Sequence, residues 1–118
     1  LNSLALLQMR VTEYADAERW FQRALEIQEQ QLGPEDPDVA HTLNNLAVLS
    51  KQTGRYEDAR VYYQRALRIK EDAFGPDHPS VAVGLNNLAN LHEANLKWAN
   101  LHKADLDGDT QIVPAIQL

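Results

Sequence analysis

Four histidines, His41, His78, His92 and His102, and the acidic run "DLDGDT" at 105–110 are the residues whose types could do chemistry in this chain. Metal binding by histidine needs two rings on one helical face, as in H-x-x-x-H, and no pair here is spaced that way. Cysteine is absent, which removes thiol nucleophiles, thiolate ligands and disulfides together. Neither a G-x-S-x-G elbow nor a phosphate-cradling glycine loop occurs. Asp105, Asp107 and Asp109 alternate as in a calcium loop, but Gly108 stands at the fourth position instead of the sixth and no Glu follows at the twelfth, so the run reads as a polar turn. Asp16 and Glu18 fit the charge placement of a helix start rather than a catalytic pair. The expectation is a protein that is not an enzyme and carries no cofactor and no metal.

What remains is hydrogen-bonding capacity for a backbone. The string "LNNLA" occurs at 43–47 and again at 85–89, placing Asn44–Asn45 and Asn86–Asn87 inside apolar-periodic segments. Asn is a mediocre helix former, so propensity does not explain two in a row, twice. Its amide donates and accepts, and can pair with the NH and CO of an extended peptide without demanding one sequence. The competing reading is that Asn44 and Asn86 only hydrogen-bond a neighbouring helix.

The elements that must position these amides follow from a repeat. Residues 1–42 lie in register over 43–84: Leu1, Leu43 and Leu85 each open a unit, and "QRALEI" is answered by "QRALRI". A period of 42 implies stacked supersecondary units, each too thin to bury its own apolar face. Within the second unit Leu43, Leu46, Ala47 and Ser50 share one helical face, and Ala59, Tyr62, Tyr63, Ala66, Leu67 and Ile69 another, with Gly54 between as a left-handed stop. Gly33 and Gly75 end the long helices, and Pro37 and Pro79 suit first helical positions, with Asp36 a good N-cap and His78 a poorer one. The spacing predicts helices at about 1–10, 14–32, 37–53, 56–74 and 79–93. Small residues (Ala5, Ala47, Ala17, Ala24, Ala59, Ala66) let backbones approach, while Phe21 and Tyr63 fill the gaps.

The set Leu46-Ala47, Gly54, Tyr56, Ala59, Tyr63, Ala66 resembles the tetratricopeptide repeat, and the 42-residue spacing with "LGPEDPDVAHTLNNLAVL" is similar to the longer variant of kinesin light chains and nephrocystin-type proteins. Two departures stand out: Thr12 replaces the turn Gly in the first unit, and Gln8 and Ser50 replace Tyr. The resemblance implies an all-α fold, an α-solenoid of antiparallel helix pairs over residues 1–93, made of units 1–42, 43–84 and a partial 85–93. It implies a protein–protein interaction scaffold whose first helices line a groove for an extended peptide or partner helix. Carried over by position, the groove residues are His41, Asn44, Asn45, Val48, Lys51 and Gln52, then Val83, Asn86, Asn87 and Asn90, and in the first unit Asn2, Ser3, Leu6, Met9 and Arg10. The carboxylate clamp of chaperone-binding members is not expected, because His41 and Val83 stand at its positions; Arg10, Lys51, Arg55 and Arg60 are the cations placed near the groove.

Past Glu93 the code changes. Leu96 takes the turn-Gly position, Leu101 the small-Ala position and Asp105 the bulky aromatic one, and only Trp98 keeps an aromatic where one belongs. "ANLHE ANLKW ANLHK ADLDG", 89–108, has a period of five and resembles the pentapeptide repeat, whose members coil into a right-handed β-helix. On an α-helix that spacing advances each Leu by about 140° and makes no single apolar face. For the atypical tail, 94–118, three outcomes are open: the start of a β-solenoid, a helix continued from the third unit, or an irregular terminus.

Net charge of −6 argues against a nucleic-acid partner, and no apolar run approaches the length of a membrane span. The chain opens at Leu1 and reads as one small domain or a piece of a longer protein; the absence of Cys fits a cytoplasmic setting. An uncapped end exposing Leu91, Leu96 and Leu101, unless "IVPAIQL" covers it, gives the alternative role: a structural module that forms homo-oligomers by stacking solenoid ends.

Overall fold

The computed structural model describes residues 3–107, with side chains over 10–103, as four α-helices: α1 (Ser3–Leu32), α2 (Pro37–Gln52), α3 (Tyr56–Phe74) and α4 (Pro79–Asp107). Their ends follow the chain's punctuation. Asp36 caps α2, its Oδ1 accepting from the Asp38 backbone NH at 2.9 Å, with Pro37 in the first turn where its missing NH is harmless. His78 does the same for α4 despite being a less usual cap: its Nδ1 accepts from the Ser80 NH at 3.1 Å, and its ring stacks on Phe74 with centroids 4.7 Å apart.

The turn between α2 and α3 is made by Gly54 at φ +80°, a conformation that brings a Cβ too close to the following carbonyl in other residues. The Arg55 NH then donates to the Ser50 carbonyl at 2.8 Å, closing the hairpin. The matching positions in the first and third units are Thr12 and Leu96, and there the chain does not turn. The expected helices 1–10 and 14–32 are one helix of 30 residues, and the expected 79–93 runs on to Asp107, giving 29 residues. A β-branched Thr resists the left-handed conformation, and between Leu85 and Asp107 there is neither Gly nor Pro to stop a helix rich in Ala and Leu. Of the three outcomes left open, the continued helix holds up to Asp107, and the β-coil reading is corrected for residues 89–107, which are helical; Gly108 and the tail from 108 to 118 lie outside the described residues. As the five-residue spacing requires, the leucines point in different directions: Leu91 is buried, Leu96 exposed and Leu101 half-buried.

The helices stack in series, α1 on α2, α2 on α3 and α3 on α4. The interior holds Val39, Leu43, Leu46, Ile69 and Val81, each under 2% exposed. Ala47 and Ala59 meet at full burial in a second cluster with Tyr63 and Leu91, where the small side chains permit the close approach. No helix of the described residues is long and apolar enough to cross a membrane.

A polar ladder ties α1 to α3 across α2. Arg55 forms a two-pronged ion pair with Glu18, one prong at 3.1 Å; the Gln22 amide donates to the Tyr62 hydroxyl at 2.8 Å; and Arg65 pairs with Glu29. The order of these pairs along the two helices shows α1 and α3 running parallel. Hydrogen bonding to Arg55, opposed by partial burial and reinforced by Coulomb attraction, holds the Glu18 carboxyl below its ordinary value. Unfolded, Glu18 takes up its proton at a higher pH than folded, so the pair's contribution is full at neutral pH and is lost as acid carries the solution through the ordinary glutamate range and on through the lower folded value. Both side chains are partly exposed, so Arg55→Met is expected to cost only about 0.5–1 kcal/mol at neutral pH and to flatten the acid limb, read from urea midpoints across a pH series.

Candidate functional site

One side of α2 is spent on the core: Val39, Ala40, Thr42, Leu43, Leu46, Ala47, Leu49 and Ser50 are buried. Thr42 is satisfied there, its hydroxyl donating to the Gln28 Oε1 at 2.5 Å. The opposite side carries His41, Asn44, Asn45, Val48, Lys51 and Gln52, none of them buried, with Val48 44% exposed. The 3.6-residue period produces this split, since positions three and four apart share a face. On α4, Val83, Asn86, Asn87 and Asn90 are likewise unburied. Because α2 and α4 both run antiparallel to α3, Asn45 and Asn87 occupy matching places on two helices of like direction.

Other expected residues go elsewhere. Arg55 is committed to Glu18, and Arg60 to Glu57 and Gln64 on its own helix, so neither joins the α2 face. Arg10 is exposed on α1, and the side chains of Asn2, Ser3, Leu6 and Met9 lie outside the described residues. The histidines are dispersed: His41 is on α2, His78 caps α4, and His92 and His102 are ten residues apart on α4, about 15 Å along the helix. Tyr63, whose hydroxyl is pushed above its ordinary value by burial, is part of the core and not of this face.

Two shallow depressions lie away from Asn45 and Asn87. One, about 720 Å³, runs along α1 from Ala15 to Glu26. The other, about 390 Å³, sits where Asn95 and Trp98 of α4 approach Arg55–Asp58 at the start of α3. Sequence spacing did not anticipate the second. Its only signal was Trp98, which stands at the place in the repeat held by Tyr56 and stacks on His102 with centroids 5.6 Å apart.

What this arrangement offers chemically is an exposed, helix-borne face of neutral amides with flanking imidazole and ammonium groups. It supplies donors and acceptors for a backbone. No curated protein matches the chain. The family model of the tetratricopeptide repeat matches residues 1–72 and again 48–99, in agreement with the stacked helix pairs. The chain therefore belongs to the tetratricopeptide repeat family, an all-α repeat fold that is non-catalytic and generally mediates protein–protein interactions.

Proposed function

We propose that this chain is an interaction scaffold that holds an extended peptide or a partner helix against the face shared by α2 and the first half of α4. The observation that carries this reading is the repetition of unburied amides: Asn45 and Asn87 are half-buried at equivalent places, with Asn44, Asn86 and Asn90 beside them. His41, Val48, Lys51 and Gln52 complete the face, with Lys51 favouring an acidic segment. The 42-residue period supports placing it with the longer variant of kinesin light chains, and the absence of Cys supports a cytoplasmic setting.

The test is Asn45→Ala with Asn87→Ala, titrated against peptides selected on an array by the unaltered chain. Each lost amide is worth about 0.5–1.5 kcal/mol, so the double variant is expected to bind roughly 5- to 150-fold more weakly. Ala is the better helix former, so helicity by circular dichroism should not fall. Unchanged affinity would place the ligand elsewhere.

A further inference from the structure

The straight course of α1 and α4 leaves two complementary faces open. Within the chain, the contact between α2 and α3 buries Leu43, Ala47 and Ser50 on one side and Ala59, Ala66 and Ile69 on the other. One repeat earlier, α1 carries the α3 side of that contact as Ala17, Trp20, Ala24 and Ile27, with Trp20 73% and Ile27 47% exposed, whereas Ile69 is 1% exposed. One repeat later, α4 carries the α2 side as Leu85, Ala89 and His92, continued by Leu96, and here Leu85 is 53% and Leu96 49% exposed where Leu43 is at 0%. Spacings of 3, 4, 3 on α1 and 4, 3, 4 on α4 keep each set on one stripe.

We propose that α4 of one copy packs antiparallel against α1 of the next, rebuilding the α2–α3 contact between molecules and joining chains head to tail. Transposing the register puts Ala89 against the next copy's Ala17, as Ala47 meets Ala59 within the chain. The helices match in length, 30 and 29 residues, so the segments beyond Thr12 and Leu96 run alongside each other instead of clashing.

Charge supports the same junction. In the chain's own ladder Glu18 meets Arg55 and Glu29 meets Arg65. Moved along by one repeat, these pairings become Arg60 with the next copy's Glu13 and Glu71 with the next copy's Arg23; all four residues are exposed, and both pairs are opposite in sign. Arg60 and Arg23 now make only local pairs within their own helices, with Glu57 and Glu26, which exchange at little cost. The contact joins two different faces and repeats by the solenoid's own rotation, so it propagates instead of closing into a two-fold dimer. It leaves the asparagine face of α2 free and does not depend on the peptide-binding reading.

Light scattering on the 118-residue chain across micromolar to millimolar concentrations tests it. The mean mass is expected to climb past twice the monomer's and to fall with added salt. Trp20→Glu removes one face and Leu85→Glu the other, so each variant alone should stay monomeric, while an equimolar mixture should give a species of twice the monomer mass that grows no further. A wild-type monomer throughout, a variant that still dimerises by itself, or a mixture that stays monomeric would each overturn the proposal. Should a glutamate variant lose helicity, the absence of native Cys allows a second readout: Ala17→Cys and Ala89→Cys, mixed and oxidised, should form the mixed disulfide in preference to either homodisulfide, and the reverse preference or no cross-link would sink it.

Discussion

Leu43→Ala is expected to lower the unfolding free energy by about 2–5 kcal/mol, and the same change one repeat later, Leu85→Ala, by less than about 0.5 kcal/mol when measured on dilute, unassembled protein. The two leucines open identical "LNNLA" strings. Leu43 is fully buried between α1 and α3, so truncation leaves a cavity, whereas Leu85 is 53% exposed on the open side of α4 and loses almost nothing. Domains of this size are held by only about 5–15 kcal/mol, so the first variant should unfold at a much lower urea concentration. Equal costs at the two positions would mean that α4 has a covering element in the monomer.

Gly54→Thr, which copies the first unit's residue into the second, should cost at least about 1–2 kcal/mol. The left-handed φ of +80° there admits no β-branched residue without strain, although nothing beyond the adjoining residues of the chain lies within 4 Å of where a Cβ would stand. The penalty is thus conformational, and Gly54→Ala should show most of it. The reciprocal Thr12→Gly weakens a continuous helix by up to about 1 kcal/mol and should shorten the helical span around residue 12, read by hydrogen exchange. If Gly54→Thr left the urea midpoint unchanged, the hairpin would owe its shape to packing alone.

Much of the fold is legible in the sequence. The caps at Asp36 and Pro37, the turn at Gly54 and the buried stripe Leu43–Leu46–Ala47 all rest on interactions within one or two helical turns, which spacing reports directly. The candidate groove face on α2 was legible for the same reason, as the complement of that stripe. Arg55 is drawn away from that face by Glu18, a partner chosen by which helices come to lie side by side, whereas Arg60 pairs with Glu57 three residues earlier on α3, a local contact that spacing alone reports. The five-residue rhythm after Ala89 was legible as a change of code, with a continued helix only one of three outcomes left open, because the same Ala and Leu positions suit a β-coil when further coils exist to cover them.

The sequence by itself determined the repeat, its period, the helical phase of each stripe and the absence of the residues that thiol chemistry would need. Only the tertiary structure decided how many times the chain turns. Positions 12, 54 and 96 are equivalent in the repeat, yet only at Gly54 does the backbone reverse; Thr12 and Leu96 continue their helices. The physical reason is that a helix ends where a left-handed residue is affordable and a packing partner waits beyond it, and the second condition is a property of neighbours in space.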